Sequence, residues 1–285
     1  KWNNFKRMKA LYIILLIPLI HMLIFDYLPM YGVLISFKNF RYADGILGSE
    51  WNNFKHYKDL FGDILFKRAF RNTLRLSVLR IVCFPLPIIF ALFLNEITRM
   101  KFKRVVQTIS YLPHFMSWVV IAGFVYQLLS PEVGVINYLR TLLGKEPVYF
   151  MIKSSYFIPI YLVATFWAGV GWGSIVYLAA ISAIDITMYE SAVLDGANRF
   201  RKAIHITLPS IAPTITILFI LSLRNILKAS FDPIFNLYNP LIYDVADVIE
   251  TYTFRKGLFE AKYDYAAAVG LFQNAVGLLL IVSAQ

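Results

Sequence analysis

Six stretches of this sequence are apolar over about twenty residues or more, the length that an α-helix needs to cross the hydrocarbon layer of a membrane. The chain has 285 residues, of which 59% are apolar and 16% charged, whereas soluble domains have about a quarter charged residues. The excess apolar surface has to face lipid, which excludes a disordered chain, a secreted disulfide scaffold and an ordinary cytosolic enzyme. We therefore predict an all-α polytopic membrane protein, with one membrane domain over residues 1–285. The six predicted transmembrane helices cover residues 11–37, 74–94, 105–129, 156–183, 211–231 and 265–284.

The ends of these segments predict how the chain is oriented. Lysine and arginine are dense in the N-terminal tail and in the loops after the second and fourth segments, whereas the basic residues of the other loops are more widely spaced and mixed with acids. Because cytoplasmic loops carry the excess of positive charge, both termini are predicted to be cytoplasmic. The first segment is too long for a signal peptide, so we expect it to be retained, and Asp26 and Pro29 are expected to bend its second half. Since the last segment stops at Gln285 without basic residues, a few cytoplasmic residues are expected to follow it.

The sequence shows no catalytic, metal-binding or phosphate-binding motif. The formal net charge of +11 would suggest nucleic acid on a soluble domain, but on a membrane chain it reports topology. Cys83 is the single cysteine, and the four histidines show no metal-ligand spacing. The fragment Gly144-Lys145 lacks the rest of a phosphate-binding loop, and no catalytic constellation is visible. We therefore predict no cofactor, no metal and no enzymatic activity, so that any chemistry comes from a partner.

The loop between the fourth and fifth segments predicts two short helices. Thr187 with Glu190 three residues later has the pattern of a capping box, which would begin the first helix. Gly196 can adopt the left-handed conformation that ends such a helix. A second helix is expected over residues 198–207, and Pro209 would begin the fifth segment, where its missing N–H costs nothing. By itself this pattern is also typical of a well-capped surface loop.

The spacing within this loop resembles a family pattern. The loop reads Glu190-Ser191-Ala192, three residues, Gly196, nine residues, and then Ile206-Thr207-Leu208-Pro209. It is similar to the loop of binding-protein-dependent ABC importer permeases, E-A-A-x3-G-x9-I-x-L-P, and departs only at Ser191, a small residue in place of another. Six spans and the position of the loop before the fifth also resemble the sugar-importing branch of that family. Stretches at 231–240, 247–252 and 265–270 are similar to permeases for complex or oligomeric sugars.

The resemblance implies a function and a set of partners. The chain would be the permease subunit of an importer in a bacterial inner membrane, working with a second, non-identical permease, two ATPase subunits and an extracytoplasmic binding protein. The loops at 38–70, 130–155 and 232–264 would receive the binding protein. The loop at 185–209 would dock in a cleft of an ATPase subunit and couple ATP binding to the movement of the spans. The implied coupling residues are Glu190, Ser191, Ala192, Leu194, Asp195, Gly196 and Phe200.

Polar and small residues inside the spans are candidates for the pathway, because charges there are costly and usually face protein or water. Arginines near the outer helix ends are expected to extend towards the interface, whereas Arg80 and Arg224 lie deeper. Gly169 and Gly173 either permit close helix packing or, with Trp172, face a sugar; the family resemblance places the sugar site at Gly169 and Trp172. The predicted pathway residues are Arg80, Gly169, Trp172, Ser222, Arg224 and Asn225.

Two alternatives of other classes remain open from the sequence. A secondary transporter would have broken helices in two related halves and a buried acid, whereas no repeat is visible in this sequence and the ionisable residues of the spans are mostly basic. A membrane-embedded enzyme would need catalytic residues. For the cargo, deep arginines suggest an acidic oligosaccharide such as a uronate oligomer, and a neutral oligosaccharide stays open because the arginines can be paired internally.

Overall fold

The computed structural model describes residues 8–223, 227 and 230–283, and regular structure in these ranges is almost entirely helical. The α-helices are α1 (Lys9–Met22), α2 (Gly45–Gly48), α3 (Lys55–Gly62), α4 (Ile64–Val82), α5 (Pro85–Glu96), α6 (Met100–Tyr111), α7 (Trp118–Leu129), α8 (Val135–Leu142), α9 (Ser154–Ser182), α10 (Ile186–Leu194), α11 (Arg199–Lys202), α12 (Leu208–Leu223), α13 (Phe231–Leu237), α14 (Tyr243–Ala246), α15 (Ile249–Phe254) and α16 (Tyr263–Ser283). The 3-10 helices are Leu28–Phe37, Leu112–Phe115, Phe150–Ile152 and Pro240–Ile242, and the π-helices are Leu23–Tyr27, Ala203–Thr207 and Arg255–Phe259. Two short strands, β1 (Lys38–Asn39) and β2 (Glu50–Trp51), form an antiparallel pair.

The predicted all-α membrane fold is confirmed, and the count of six helices is approximate. Among the described residues, four helices are long and apolar enough to cross a membrane: Leu11–Phe37, Ile64–Glu96, Ser154–Ser182 and Arg199–Leu223. A bent pair, Met100–Phe115 and Trp118–Leu129, makes a fifth if it is one span. The sixth predicted segment falls on α16, which has 21 residues.

Two predicted segments differ in shape from the structure. The second begins at Ile64 rather than at residue 74, and it breaks at Cys83 and Phe84, after which Pro85 begins α5. The third bends by 107°. The chain turns there because Pro113 lies in a 3-10 helix and the Ser117 side chain accepts the Val120 N–H and begins a new helix.

The chain divides into two compact units, which we describe separately. Unit 1 comprises Lys1–Ile64 and Thr253–Val276. In it, the first apolar segment changes from α-helix to a π-helix at Leu23–Tyr27, which contains Asp26, and then to a 3-10 helix. The helix type therefore changes in the second half, while Leu11–Phe37 stays one candidate span, and the predicted bend is not shown. No residue in the most apolar stretch of this segment is buried, so the surface of this stretch is open to lipid or to another subunit.

The loop that follows this segment in unit 1 is tied together by polar contacts. His56 Nε2 lies 3.0 Å from the Lys38 carbonyl oxygen and 3.2 Å from Asp264 Oδ2. The same Asp264 oxygen accepts the Phe40 N–H at 3.1 Å. These contacts join α3, the strand pair and the start of α16 into one structure.

Unit 2 comprises Leu65–Tyr252 and Gly277–Gln285, and α9 lies at its centre. This helix packs against α5, α6 and α12 and against several of the short helices. A Cβ atom at Gly171 would overlap the Ser110 backbone, and one at Gly173 would lie 3.3 Å from Pro87. Gly171 and Gly173 therefore provide the close helix packing, and Gly169, with no atom within 4 Å of the Cβ position, does not.

Candidate functional site

The first helix of the predicted coupling loop begins at Ile186, so the predicted capping box at Thr187 and Glu190 is wrong. Asp185 is the N-cap, and its Oδ1 accepts the Thr187 N–H at 2.9 Å. This hydrogen bond lowers the pKa of the Asp185 carboxyl below its usual value. Asp185 precedes the helix at the position where a side-chain oxygen satisfies an otherwise unpaired N–H group, and Thr187 lies already inside the first turn.

The predicted end of this helix is confirmed. Gly196 has a φ of +73°, in the left-handed region. Its N–H donates to the Val193 carbonyl at 3.0 Å, and the Ala197 N–H donates to the Ala192 carbonyl at 2.8 Å. This pair of hydrogen bonds is the Schellman motif, which closes a helix most easily at glycine.

The second helix of the loop begins as predicted, with the Asn198 side chain accepting the Arg201 N–H at 2.8 Å. It does not stop before the fifth segment. The chain continues helically from Arg199 to Leu223, through the π-helix Ala203–Thr207. The Leu208 N–H donates to the Ala203 carbonyl across this wide turn. Pro209 therefore lies inside a continuous helix, contrary to the prediction that it begins one.

The surface of the loop is apolar and exposed. The side chains of Leu194 and Phe200 are 89% and 73% exposed. Glu190 and Leu194 line a shallow groove of about 330 Å³ with Tyr189 and Val193. The sequence analysis did not single out Tyr189, whose hydroxyl lies 2.9 Å from Thr207 Oγ1 and fastens α10 to the helix that follows. A fixed helix with an uncovered apolar surface is suited to docking against another protein.

Four of the six predicted pathway residues line one cavity in unit 2, which we call the Trp172 cavity. They are Arg80, Gly169, Trp172 and Ser222. The cavity has a volume of about 480 Å³ and is otherwise mostly apolar, with Cys83 and Tyr177 among its lining residues. The other two predicted residues, Arg224 and Asn225, lie outside the residues that the structure describes.

A second cavity in unit 2, which we call the Tyr161 cavity, has a volume of about 940 Å³. Arg80, Thr165 and Gly169 line both cavities, so the two adjoin at these residues. The open space at the missing Cβ of Gly169 lies at this junction. The polar residues that line only the Tyr161 cavity are His114, Ser117, Tyr161, Ser230, Asp232 and Asn236.

An aromatic cluster surrounds Trp172. Its ring stacks on His114 with 4.5 Å between centroids and an angle of 5°, and Phe115 meets it edge-on at 5.5 Å. His114 and Phe115 belong to the 3-10 helix before the bend at residues 116–117. Neither residue was predicted for the site from the sequence, although Pro113 within an apolar segment was a signal of irregular backbone there.

The site is compatible with a permease, and the comparison with known proteins decides the family. Residues 84–283 match the family described as the binding-protein-dependent transport system inner membrane component. The chain belongs to this family. The predicted resemblance to ABC importer permeases is thereby confirmed, and so is the inner-membrane assignment. The predicted partners are confirmed at the level of the family, whose permeases work with a binding protein, a second permease and ATP-binding subunits.

Individual relatives are similar over nearly the whole chain. The polygalacturonan/rhamnogalacturonan transport system permease protein YteP of Bacillus subtilis is 41% identical, covering 97% of this chain and 87% of the relative. LplB of the same organism is 41% identical, covering 98% and 88%. A bacterial ABC transporter that imports the acidic polysaccharide alginate has a crystal structure with a 43% identical chain and a TM-score of 0.92, covering 99% and 96%. The alginate transporter with its pentasaccharide-bound periplasmic protein matches with a TM-score of 0.90, 43% identity and coverages of 99% and 95%.

Proposed function

We propose that this permease carries an acidic oligosaccharide of the uronate type, delivered by an extracytoplasmic binding protein, through the Trp172 and Tyr161 cavities. The observation that carries the proposal is the position of Arg80, which lines both cavities at their junction. A guanidinium group there can bind a carboxylate with two parallel hydrogen bonds. The cargoes named for YteP and for the alginate transporter, polygalacturonan, rhamnogalacturonan and alginate, support the same class of substrate.

The two cavities also suit the size and shape of a sugar chain. Their volumes, about 480 and 940 Å³, fall in the range of small-molecule sites, and both are open to their surroundings. Trp172 is 44% exposed and offers an aromatic surface at one cavity. Apolar sugar faces pack on such rings, and the hydroxyl groups find partners in Thr165 and Ser222. Because the two cavities share lining residues, one oligosaccharide can occupy both.

In this proposal, the loop at 185–209 couples ATP binding to transport. The apolar side chains of Leu194 and Phe200 would insert in a cleft of an ATPase subunit, and the exposed Glu190 would form a charge-assisted contact. ATP binding draws two ATPase subunits together and moves the docked helices. The continuous helix from Arg199 to Leu223 would transmit this movement from the loop to the membrane, so that the spans alternate between two access states. This arrangement requires a cytoplasmic N-terminus, which the basic loops favour.

Uptake by the reconstituted importer tests the proposal. Proteoliposomes with both permeases, the ATPases and the binding protein are expected to take up uronate oligosaccharides and not neutral ones, and vanadate is expected to stop the uptake. Transport of neutral oligosaccharides alone would overturn the acidic cargo. Uptake that persists without the ATPase subunits would overturn the importer mechanism and favour a secondary transporter.

Cys83 provides a direct probe of the Trp172 cavity, because it is the only cysteine of the chain and lines that cavity. In an importer whose other subunits lack cysteine, a charged methanethiosulfonate reagent is expected to label Cys83. Uronate oligosaccharide with binding protein and nucleotide is expected to slow the labelling, because the cargo fills the cavity. The variant Cys83→Ser is the control for labelling elsewhere. A labelling rate that saturating cargo leaves unchanged would place the pathway outside this cavity.

A further inference from the structure

The bend in the third span places a helix N-terminus at the Tyr161 cavity. Helix α7 starts at Trp118 after the turn, and Ser117, Trp118 and Val119 line the cavity. The first N–H groups of an α-helix have no carbonyl partner within the helix, and the helix dipole adds partial positive charge there. A helix that is interrupted at membrane depth often presents its N-terminus to an anionic group of a substrate.

The capping of α7 is incomplete. The Ser117 side chain accepts the Val120 N–H at 3.4 Å, and the Ser117 carbonyl accepts the Ile121 N–H at 3.1 Å. Within the described residues, the N–H groups of Trp118 and Val119 have no protein acceptor. Two backbone donors are therefore available at the wall of the cavity.

Tyr161 is the second and independent observation. This residue of α9 lines the cavity, is 0% exposed, and its hydroxyl has no hydrogen-bond partner among the described residues. A buried hydroxyl without a partner costs about 1–3 kcal/mol, so this group calls for an explanation, and a ligand in the cavity would supply the missing acceptor. Arg80 lines the same cavity as Tyr161 and brings a positive charge to it.

The remaining charged and titratable groups of the cavity define how a sugar acid would lie in it. Asp232 lines the cavity from the first turn of α13, and it repels a carboxylate while accepting hydrogen bonds from sugar hydroxyl groups. His114 lines the cavity and is stacked on Trp172. A uronate ring therefore has a favourable orientation, with its carboxylate towards Arg80 and its hydroxyl groups towards Asp232.

From these observations we infer that the Tyr161 cavity is a carboxylate-binding site for one uronate unit of the cargo. Its donors are the Tyr161 hydroxyl, the Trp118 and Val119 N–H groups at the start of α7, and the Arg80 guanidinium. This inference rests on the proposed function, and it adds a site to it. It also gives the 107° bend a function, because a straight helix would have no free N–H groups at the wall of this cavity.

The test removes one donor atom and compares two ligands. The variant Tyr161→Phe keeps the ring and loses only the hydroxyl. Binding of a radiolabelled uronate disaccharide, and of the same disaccharide with its carboxyl groups reduced to alcohols, is measured on the complete purified importer without binding protein. Because a hydrogen bond to a charged group is lost, Tyr161→Phe is expected to weaken uronate binding about tenfold or more. Binding of the reduced disaccharide is expected not to change.

Tyr126→Phe is the matched control, because the Tyr126 hydroxyl donates to the Leu237 carbonyl and lines neither cavity. It is expected to bind both disaccharides as the unaltered importer does. Equal weakening of both ligands by Tyr161→Phe, or no weakening of uronate binding, would overturn the carboxylate site. These results differ from failure of the proposed function, in which the unaltered importer neither binds nor transports uronate oligosaccharides.

Discussion

Replacing Gly196 with aspartate is expected to abolish transport, while the permease still inserts and assembles its membrane helices. A Cβ atom at Gly196 meets nothing within 4 Å, so the new side chain would point into the space that a docked ATPase subunit would fill. An unpaired carboxylate forced into such an interface costs several kcal/mol. The loop itself would bear only the strain of a non-glycine residue at a φ of +73°, about 1–2 kcal/mol. Uptake and cargo-stimulated ATP hydrolysis are therefore expected to fall by about a hundredfold or more.

Gly196→Ala provides a matched control for this substitution. An alanine at a φ of +73° bears the same backbone strain, and its Cβ atom likewise meets nothing within 4 Å, but it brings no charge to the loop. Gly196→Ala is therefore expected to keep most of the transport activity. Wild-type transport by Gly196→Asp would show that the loop does not couple ATP binding to transport. Equal losses in the two variants would show that the backbone strain alone is responsible.

The positions of the spans could be predicted because each is a long apolar run, and the physics of the bilayer acts on the run as a whole. The shape of the spans could not be predicted from the sequence. The third segment is continuous in hydropathy, yet Ser117 provides a cap in the middle of it and the chain turns by 107° there. Proline and serine also occur inside continuous membrane helices, so Pro113 and Ser117 do not by themselves predict that a new helix begins at Trp118.

The predicted coupling loop shows the same limit for the prediction of single residues. Asp185 and Thr187 are both good N-cap residues two positions apart, and helix boundaries are uncertain by this amount. The glycine that ends the helix had no competitor, and it was predicted correctly. Pro209 was misplaced because the π-helix before it supplies a wide turn that accommodates a proline inside a continuous helix.

The two cavities of the proposed pathway could not be predicted without the tertiary structure. Arg80 and Trp172 could be singled out as a charge and an aromatic ring within apolar segments, and the structure brings them to one cavity. Tyr161 and His114 gave no comparable signal, because a tyrosine on an apolar helix and a histidine near a proline are common. They belong to the site only because α9 and the bent span pack together in unit 2 and leave a polar cavity between them.

Arg80→Gln is the second substitution from which a large effect is expected, since it removes the charge at the junction of the two cavities. Loss of a charge-assisted pair with a carboxylate is worth about 1.5–3 kcal/mol, so uptake of uronate oligosaccharides is expected to fall about ten- to a hundredfold. Arg80→Lys keeps the charge without the planar pair of donors, and an intermediate rate is expected. Both rates are measured in proteoliposomes with saturating binding protein.

Arg75 offers the control, because it is an exposed arginine on the same helix, α4, and is not among the residues that line either cavity. Arg75→Gln is expected to transport normally, so a similar loss in this variant would assign the effect to insertion of α4 rather than to the cargo. Normal uronate uptake by Arg80→Gln would contradict the proposed pathway, because that pathway crosses the junction of the two cavities that Arg80 lines together with Thr165 and Gly169. A fall in uptake that grows with the number of uronate units in the cargo would show that Arg80 meets each carboxylate in turn.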